Sequence, residues 1–475
     1  MKPKARTLGG GLAVAALTAG VFAWGMHLGP GRPPGHNLLK ATIAAGPRPV
    51  TGIMLASLKQ RMAQAGGPDA RDQGDASDSD SPGAIFQDVY SLLRRNYVDP
   101  LPDDTHLAHG AAAAMLASLG DPESRFLEPA DMAELTGEAK GQYHGLGAVT
   151  AVRKFVHPKQ GDAPSYTEFR LTVVAPLPGS PAEKAGLRPG DYVTDINGQW
   201  IAAYDPALAA YKSLDAAKND PVAFNKLAAQ IEKKEADALA LTQAESKLTD
   251  GSQKSLTLTV VRPGAPQPLK VTADDSAPTT VTPVTGKMLP AGVGYIKIAQ
   301  FTDGADKQFD SVLSSLDTGL KGLVLDLRDC PGGLRDVGAA IASRLTTAAT
   351  LGILETKGKK QTPLTLSPHK QVACPIVVLV NAGTANTAEL VAATLQASGS
   401  KLVGVSTFGD AGDVKPIALR DGSGFTMTVG KLLTSQGREF ADVGIKPDLV
   451  VLDAPGGDAP LTRAIGALSG QVARR

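Results

Sequence analysis

Residues 322–333 read GLVLDLRDCPGG, an apolar run that leads directly into a turn of one proline and two glycines. Other apolar runs are VGYIKIAQF at 293–301, PIVVLVN at 375–381 and KLVGVST at 401–407. Segments with apolar residues at helical spacing, such as AELVAATLQAS, stand between or after them. Strands separated by crossover helices predict an α/β core with a mainly parallel sheet, which we place at residues 276–475.

Three loops follow these runs, at the edge of the sheet where sites form in parallel α/β folds. The turn with Gly332 and Gly333 offers two amides that can form an oxyanion hole, and an ordinary strand-to-helix turn is the alternative from these residues alone. The second loop is NAGTANTAE at residues 381–389, and the third is STFGDAG at 406–412. We therefore expect the chemistry of the core to lie in these three loops.

A smaller β-rich unit precedes the core at residues 141–275. Its segment 179–199 reads GSPAEKAGLRPGDYVTDINGQ and, together with the loop YHGLGA at 143–148, it resembles a PDZ domain. In that family an extended peptide adds to a sheet edge, and backbone amides hold its terminal carboxylate. The resemblance assigns peptide binding to the loop residues Gly145, Leu146, Gly147 and Ala148.

An alanine-rich, charged stretch at residues 205–249 interrupts the PDZ-like unit. Its apolar residues have helical spacing, and its many charges favour contact with water. We predict a solvated helical hairpin there and assign no chemistry to it.

The amino terminus predicts a membrane anchor at residues 1–28. Three basic residues precede a long run without charge, which is typical of a membrane-targeting segment. We expect the segment to be retained rather than cleaved, and its basic residues to stay cytoplasmic, so that the body lies outside the membrane. Residues 29–83 are rich in Gly, Pro and Asp and predict a disordered tether, and residues 84–140 predict helices.

Composition excludes several classes of protein. The 475 residues predict about three domains. The 48 Lys and Arg residues nearly balance the 47 Asp and Glu residues, which argues against a nucleic-acid-binding protein. Two cysteines, Cys330 and Cys374, are too few for a disulfide framework, and they are either free thiols or one pair. The 7 histidines form no cluster with ligand spacing, so neither a metal nor a cofactor is indicated.

Taken in order, the motifs resemble those of the carboxyl-terminal processing, or tail-specific, serine peptidases, whose members carry a PDZ domain. The resemblance covers about residues 85–475, from YVDP at 97–100 to TSQGREFADVGIKPD at 434–448. It implies cleavage of extracytoplasmic polypeptides that are selected by their C-terminal tails. The implied partners are therefore polypeptide tails and, through the amino-terminal segment, a membrane; the oligomeric state stays open.

The catalytic residues of that family do not all carry over to this chain. The family's nucleophilic serine lies three residues before a glutamate, and the residue at that distance from Glu389 is Asn386. The family's general-base lysine lies in a Phe-Gly-Lys-Gly turn, where this chain has Asp410. The glutamine that orients the lysine corresponds best to Lys415, because this loop carries one extra residue.

These exchanges predict a peptide-binding homologue with impaired catalysis. An amide has no atom as nucleophilic as an activated hydroxyl, and losing the nucleophile of subtilisin costs roughly 10⁶-fold in turnover. One alternative is an active endopeptidase that uses Thr387 or Thr384 as the nucleophile with Lys415 as the base. Another is a structural envelope protein that uses the core only as a folded body.

Overall fold

A computed structural model describes residues 82–101, 103–157, 166–202, 213–214, 216–217, 219–274, 278–316, 319–453 and 456–472. The predicted anchor at residues 1–28 and all but the end of the predicted tether lie outside these ranges. No helix within them is long and apolar enough to cross a membrane. The described residues fall into two compact units, one that ends at Asp121 and one that begins at Pro122.

The helices, in chain order, are α1 (Pro82–Asn96), α2 (Asp104–Ala117), α3 (Pro129–Glu138), α4 (Pro181–Lys184), α5 (Pro221–Ala236), α6 (Leu241–Thr249), α7 (Ala305–Leu316), α8 (Arg335–Leu345), α9 (Thr387–Ala397) and α10 (Ala459–Val472). Short 3₁₀ turns lie at Pro290–Gly292 and Lys357–Lys359.

The strands, in chain order, are β1 (Phe126–Leu127), β2 (Gln142–Tyr143), β3 (Ala148–His157), β4 (Tyr166–Pro176), β5 (Tyr192–Ile196), β6 (Gln199–Trp200), β7 (Ser255–Val261), β8 (Leu269–Asp274), β9 (Thr279–Thr280), β10 (Val284–Leu289), β11 (Val293–Ile298), β12 (Gly322–Asp326), β13 (Thr350–Thr356), β14 (Lys360–Thr365), β15 (Ile376–Val380), β16 (Lys401–Gly404), β17 (Gly412–Ala418), β18 (Gly424–Thr434) and β19 (Leu449–Val450).

The first unit contains α1 and α2, as the helical pattern of residues 84–140 predicts. Asp103 caps α2, because its carboxylate accepts a hydrogen bond from the His106 amide at 2.8 Å. Arg94 near the end of α1 pairs with Asp104 at 3.1 Å. The next helix, α3, belongs to the second unit. The helical region at residues 84–140 is therefore divided between the two units.

An antiparallel sheet forms the PDZ-like part of the second unit. Its strand order is β3-β4-β5-β7-β8, with β6 beside β5, so β3 is an edge strand. Alternate residues of β7, namely Leu256, Leu258 and Val260, are buried, as expected for a strand with one face toward a core.

The prediction of a wholly solvated hairpin at residues 205–249 is wrong for its second helix. Helix α5 is mostly exposed, with Ile231 as its one buried residue. In α6, by contrast, Ala244 and Leu248 are buried in the core of the PDZ-like sheet. These residues lie four apart, on one face of a helix, and their apolar side chains outweigh the surrounding charges. Helix α6 is thus part of the PDZ-like fold.

The predicted mainly parallel sheet is present in the core. Its order is β10-β11-β12-β15-β16-β19, and only β10 runs antiparallel to its neighbour. Every residue of β12 and β15 is buried, as in parallel strands that helices cover on both faces. Helix α10 packs on one face, and α7, α8 and α9 pack on the other.

A second core sheet was not predicted from the sequence. It is antiparallel, with the order β1-β18-β13-β14 and with β17 beside β18. Its residues Leu351 and Leu432 pack in the same apolar cluster as Leu390 of α9. This sheet places β17 and the turn before it against the amino terminus of α9.

Candidate active site

Asn386, the residue at the predicted nucleophile position, lies immediately before α9. Its backbone has φ 47° and ψ −115°, a conformation that non-glycine residues adopt rarely and at a cost of about 1–3 kcal/mol. Its side-chain nitrogen donates to Oδ2 of Asp410 at 3.2 Å and to the Gly412 carbonyl at 3.0 Å. The structure therefore brings together the predicted nucleophile and base positions, although they lie in different loops.

Glu389 connects these two loops through hydrogen bonds. Its side chain is fully buried, and each carboxylate oxygen accepts two hydrogen bonds. Oε2 accepts from the amides of Asn386 at 3.0 Å and Asp410 at 2.8 Å. Oε1 accepts from the Gly409 amide at 2.8 Å and from the Thr407 hydroxyl. In the sequence, Glu389 marks the nucleophile position by its spacing, but no pattern there indicates these four donors.

Burial governs the ionisation of both carboxyl groups. It raises the pKa of Glu389 to about 8, while the hydrogen bonds from Thr407 and Gly409 act to lower that pKa. Burial also raises the pKa of Asp410, against the hydrogen bonds that it accepts from the Gly412 amide and Asn386. Across the described ranges, no lysine amine forms a hydrogen bond or ion pair with Asn386 or Asp410.

The predicted oxyanion turn lies against Asn386. Gly332 and Gly333 have φ 102° and 120°, which glycine tolerates best. The Phe301 amide donates to the Gly332 carbonyl at 2.9 Å and fixes the turn beside β11. A Cβ on Gly332 would lie 3.0 Å from the Cβ of Asn386 and 3.2 Å from the Thr387 amide nitrogen, so a side chain there would crowd the site.

The other candidate residues do not gather into a catalytic set. The Thr387 hydroxyl donates to the Gly333 carbonyl at 2.9 Å, and the Thr384 hydroxyl donates to the Leu327 carbonyl at 2.7 Å. Both threonines are buried. Lys415 is exposed on β17, opposite Met427, and no hydrogen bond or ion pair joins it to either threonine.

A residue of the PDZ-like sheet reaches the base-position turn. The Arg153 guanidinium of β3 lies 4.6 Å from the centre of the Phe408 ring and donates to the Asp442 carbonyl at 3.1 Å. Its positive charge acts to lower the pKa of Asp410. Sequence reasoning missed Arg153, since only the folded chain brings β3 beside residues 408–410.

The predicted peptide-binding loop packs against α6. Gly145 and Gly147 have φ 65° and 66°, and the Leu146 amide donates to the Leu248 carbonyl at 2.8 Å. A Cβ on Gly145 would lie 2.4 Å from the same carbonyl oxygen, so only glycine fits. Ala148 then begins β3.

A groove runs between β3 and α6, and α3 forms its third wall. Its volume is about 140 Å³. The wall residues are Ala148, Val149 and Thr150 of β3, Thr242, Glu245, Ser246 and Thr249 of α6, and Asp131, Glu134, Leu135 and Glu138 of α3. Arg125, Phe126, Leu127 and Thr426 close one end. We refer to this space as the β3–α6 groove.

Neither cysteine is part of a disulfide bond. Cys330 is buried beside Gly332, and burial raises the pKa of its thiol to about 12, so it is protonated at neutral pH. In the described part of the chain, no three His, Cys, Asp or Glu side chains gather as a metal site.

Comparisons with known proteins point to one family. The model of peptidase family S41 matches residues 292–451, and a PDZ-domain model matches residues 172–222. The carboxyl-terminal-processing protease of Synechocystis sp. is 31% identical over 364 residues, which cover 76% of this chain and 74% of that protein. The protease of the same name from Picosynechococcus sp. is 31% identical over 377 residues, with 78% of each chain covered.

A solved structure has the same fold. The photosystem II D1 C-terminal processing protease superposes with a TM-score of 0.57 at 24% sequence identity. The match covers 89% of this chain and 99% of that chain.

Proposed function

The chain belongs to the family of carboxyl-terminal-processing proteases, peptidase family S41, and on that basis we propose that it binds the C-terminal tails of polypeptides but hydrolyses them little or not at all. The observation that carries the proposal is the hydrogen bond between Asn386 and Asp410. An amide and a carboxylate stand where a Ser–Lys mechanism needs a hydroxyl and a neutral amine.

The geometry of Asn386 supports the loss of the nucleophile. Its side-chain nitrogen donates both of its protons, one to Asp410 and one to the Gly412 carbonyl. Both N–H groups are therefore engaged in hydrogen bonds. Because the nitrogen lone pair is delocalised into the amide, this nitrogen is a poor nucleophile.

The PDZ-like sheet supports the tail-binding part of the proposal. Among the described strands, the edge strand β3 pairs with β4 alone, so a peptide strand can add on its other side, and the loop at Gly145–Ala148 precedes β3 as in PDZ domains. We further propose that the body lies on the extracytoplasmic side of a membrane and is held there by residues 1–28. That segment lies outside the described residues, so this part rests on the sequence pattern alone.

A protease assay on the full chain tests the catalytic part. We expect casein hydrolysis by the natural chain to stay at background. The double variant Asn386→Ser with Asp410→Lys is expected to gain hydrolysis, because it restores a hydroxyl and an amine beside the Gly332–Gly333 turn. Arg420→Ala, on an exposed turn, serves as the matched surface control. Hydrolysis by the natural chain that disappears in Thr387→Ala would instead establish the threonine-dependent alternative.

A further inference from the structure

The β3–α6 groove already holds one cationic side chain. The Arg125 guanidinium lies 2.5 Å from Oε2 of Glu245, whose side chain is only 12% exposed. Glu245 is on the face of α6 that lines the groove, together with Thr242, Ser246 and Thr249. A charged side chain from outside the PDZ-like sheet is thus seated in the space that faces β3.

The charges of the groove are not balanced by Arg125. Its lining contains one arginine and four carboxylates, the latter being Asp131, Glu134, Glu138 and Glu245. Glu134 accepts from the His144 amide at 3.0 Å and lies 2.6 Å from its ring nitrogen Nδ1. Burial raises the pKa of Glu138 to about 7 and also raises the pKa of Glu245, so a cation brought beside them would favour the ionised form of both groups.

We propose that the β3–α6 groove selects tails that carry an arginine or lysine side chain. This side chain pairs with Glu245 and takes the position that Arg125 occupies when no tail is bound. The inference rests on the proposed tail-binding function and specifies its ligand class. A basic side chain from a bound tail replaces Arg125, and the guanidinium of Arg125 moves out to solvent, where it is already 36% exposed.

The orientation of the side chains along a bound strand fits this assignment. A strand that adds to β3 points alternate side chains toward α6, where Glu245 stands. The Leu146 amide is already used by the Leu248 carbonyl, so the loop offers fewer donors to the terminal carboxylate. Side-chain charge then carries a larger share of selectivity, and an acidic tail meets acidic side chains on two walls.

Tail peptides measured against the full chain test the inference. The probes are decapeptides of one alanine-rich sequence with a free C-terminal carboxylate, in which Lys or Glu replaces Ala at each of the last four positions in turn. At one position or more we expect Lys to tighten binding by about tenfold over Ala, and Glu to weaken it. Fluorescence anisotropy gives the dissociation constants.

Two variants separate Glu245 and Arg125. In Glu245→Gln we expect the preference for Lys over Ala to fall below about twofold. In Arg125→Ala we expect Lys tails to bind more tightly, because the internal competitor is gone. Glu232→Gln, on the exposed side of α5, is the matched control. If Glu245→Gln does not fold, Glu138→Gln provides the same comparison on the opposite wall.

Three outcomes decide between the possibilities. Lys tails that bind no better than Ala tails at all four positions would overturn the inference and leave the proposed function intact. Weaker binding of Lys tails to Arg125→Ala would also overturn it, because Arg125 would then assist binding. If no tail of any composition bound, the proposed function itself would fail and the inference with it.

Discussion

The side-chain nitrogen of Asn386 lies 3.2 Å from Oδ2 of Asp410, so a hydrogen bond joins the two loops that carry the predicted nucleophile and base positions. Both residues also form hydrogen bonds with Gly412: Asn386 donates to the Gly412 carbonyl, and the Gly412 amide donates to Asp410. These hydrogen bonds therefore connect the two loops of the candidate site directly.

Restoring the hydroxyl alone is expected to recover little hydrolysis. In Asn386→Ser the new hydroxyl faces Asp410, and among the described residues no lysine amine bonds to either position to act as the base. The double variant with Asp410→Lys should exceed the single variant by about 10²-fold or more, the usual contribution of general-base catalysis. Initial rates of casein hydrolysis by the two variants measure the ratio, and equal rates would show that Asp410 can serve as the base.

Glu389→Gln is expected to destabilise the fold by about 2–4 kcal/mol. The carboxylate accepts four hydrogen bonds in a buried position, whereas an amide has one oxygen and would turn its own donors toward amide groups. Urea unfolding followed by circular dichroism measures the loss. Glu439→Gln, at an exposed loop position, should change the free energy of unfolding by less than about 0.5 kcal/mol.

Stability is expected to fall as the pH rises through about 7, with Glu138 as one cause. Burial raises its pKa to about 7 in the folded chain, and Glu134 and Glu245 add to that rise while Arg125 opposes it. A carboxyl whose pKa is raised by folding stabilises the protein below its unfolded value near 4.5, and this contribution is lost as the pH rises through the folded value.

Asp131 and His144 also lie close to these groups. The contribution of Glu138 to the pH dependence is therefore measured by comparing a variant with the natural chain. In Glu138→Gln, the loss of unfolding free energy between pH 5 and pH 8 should shrink by roughly 2 kcal/mol. Urea midpoints at both pH values give the comparison. If the pH dependence of this variant were unchanged, the loss of stability would come from another group. Glu389 is one such group, because burial also raises its pKa.

Gly332→Ala is expected to cost more than another glycine substitution with a similar backbone. Gly332 has φ 102°, and its new Cβ would lie 3.0 Å from both the Ala385 carbonyl oxygen and the Cβ of Asn386. Gly304 has φ 76° with no atom within 4 Å of the added Cβ, so Gly304→Ala reports backbone strain alone. We expect Gly304→Ala to lower the free energy of unfolding by about 1 kcal/mol and Gly332→Ala to lower it by about 3 kcal/mol, as measured by thermal unfolding.

The sequence predicted the parts of the fold that depend on local pattern. Continuous apolar runs gave β12 and β15, and the turns after them placed the site at the end of the parallel sheet. The spacing to Glu389 identified Asn386, and the turn with Phe408 identified Asp410. The structure joins the last two residues by a hydrogen bond.

The parts that were missed depend on distant contacts. Strand β1 is two residues long and has no pattern of its own, and it pairs with β18 through Phe126 and Phe425. The four donors to Glu389 come from backbone amides and one hydroxyl, which a sequence does not place. The charges of α6 predict contact with water, whereas contacts with the distant PDZ-like sheet bury Ala244 and Leu248.

The pairing of Phe126 with Phe425 has a consequence for biosynthesis. The two partners are 299 residues apart, so at a translation rate of about 5–20 residues per second the first strand waits roughly 15–60 s for its partner. During that interval the PDZ-like sheet can fold, but the antiparallel core sheet is incomplete and its apolar face is uncovered. The apolar face of this sheet therefore stays uncovered in a nascent chain until β18 has been synthesised.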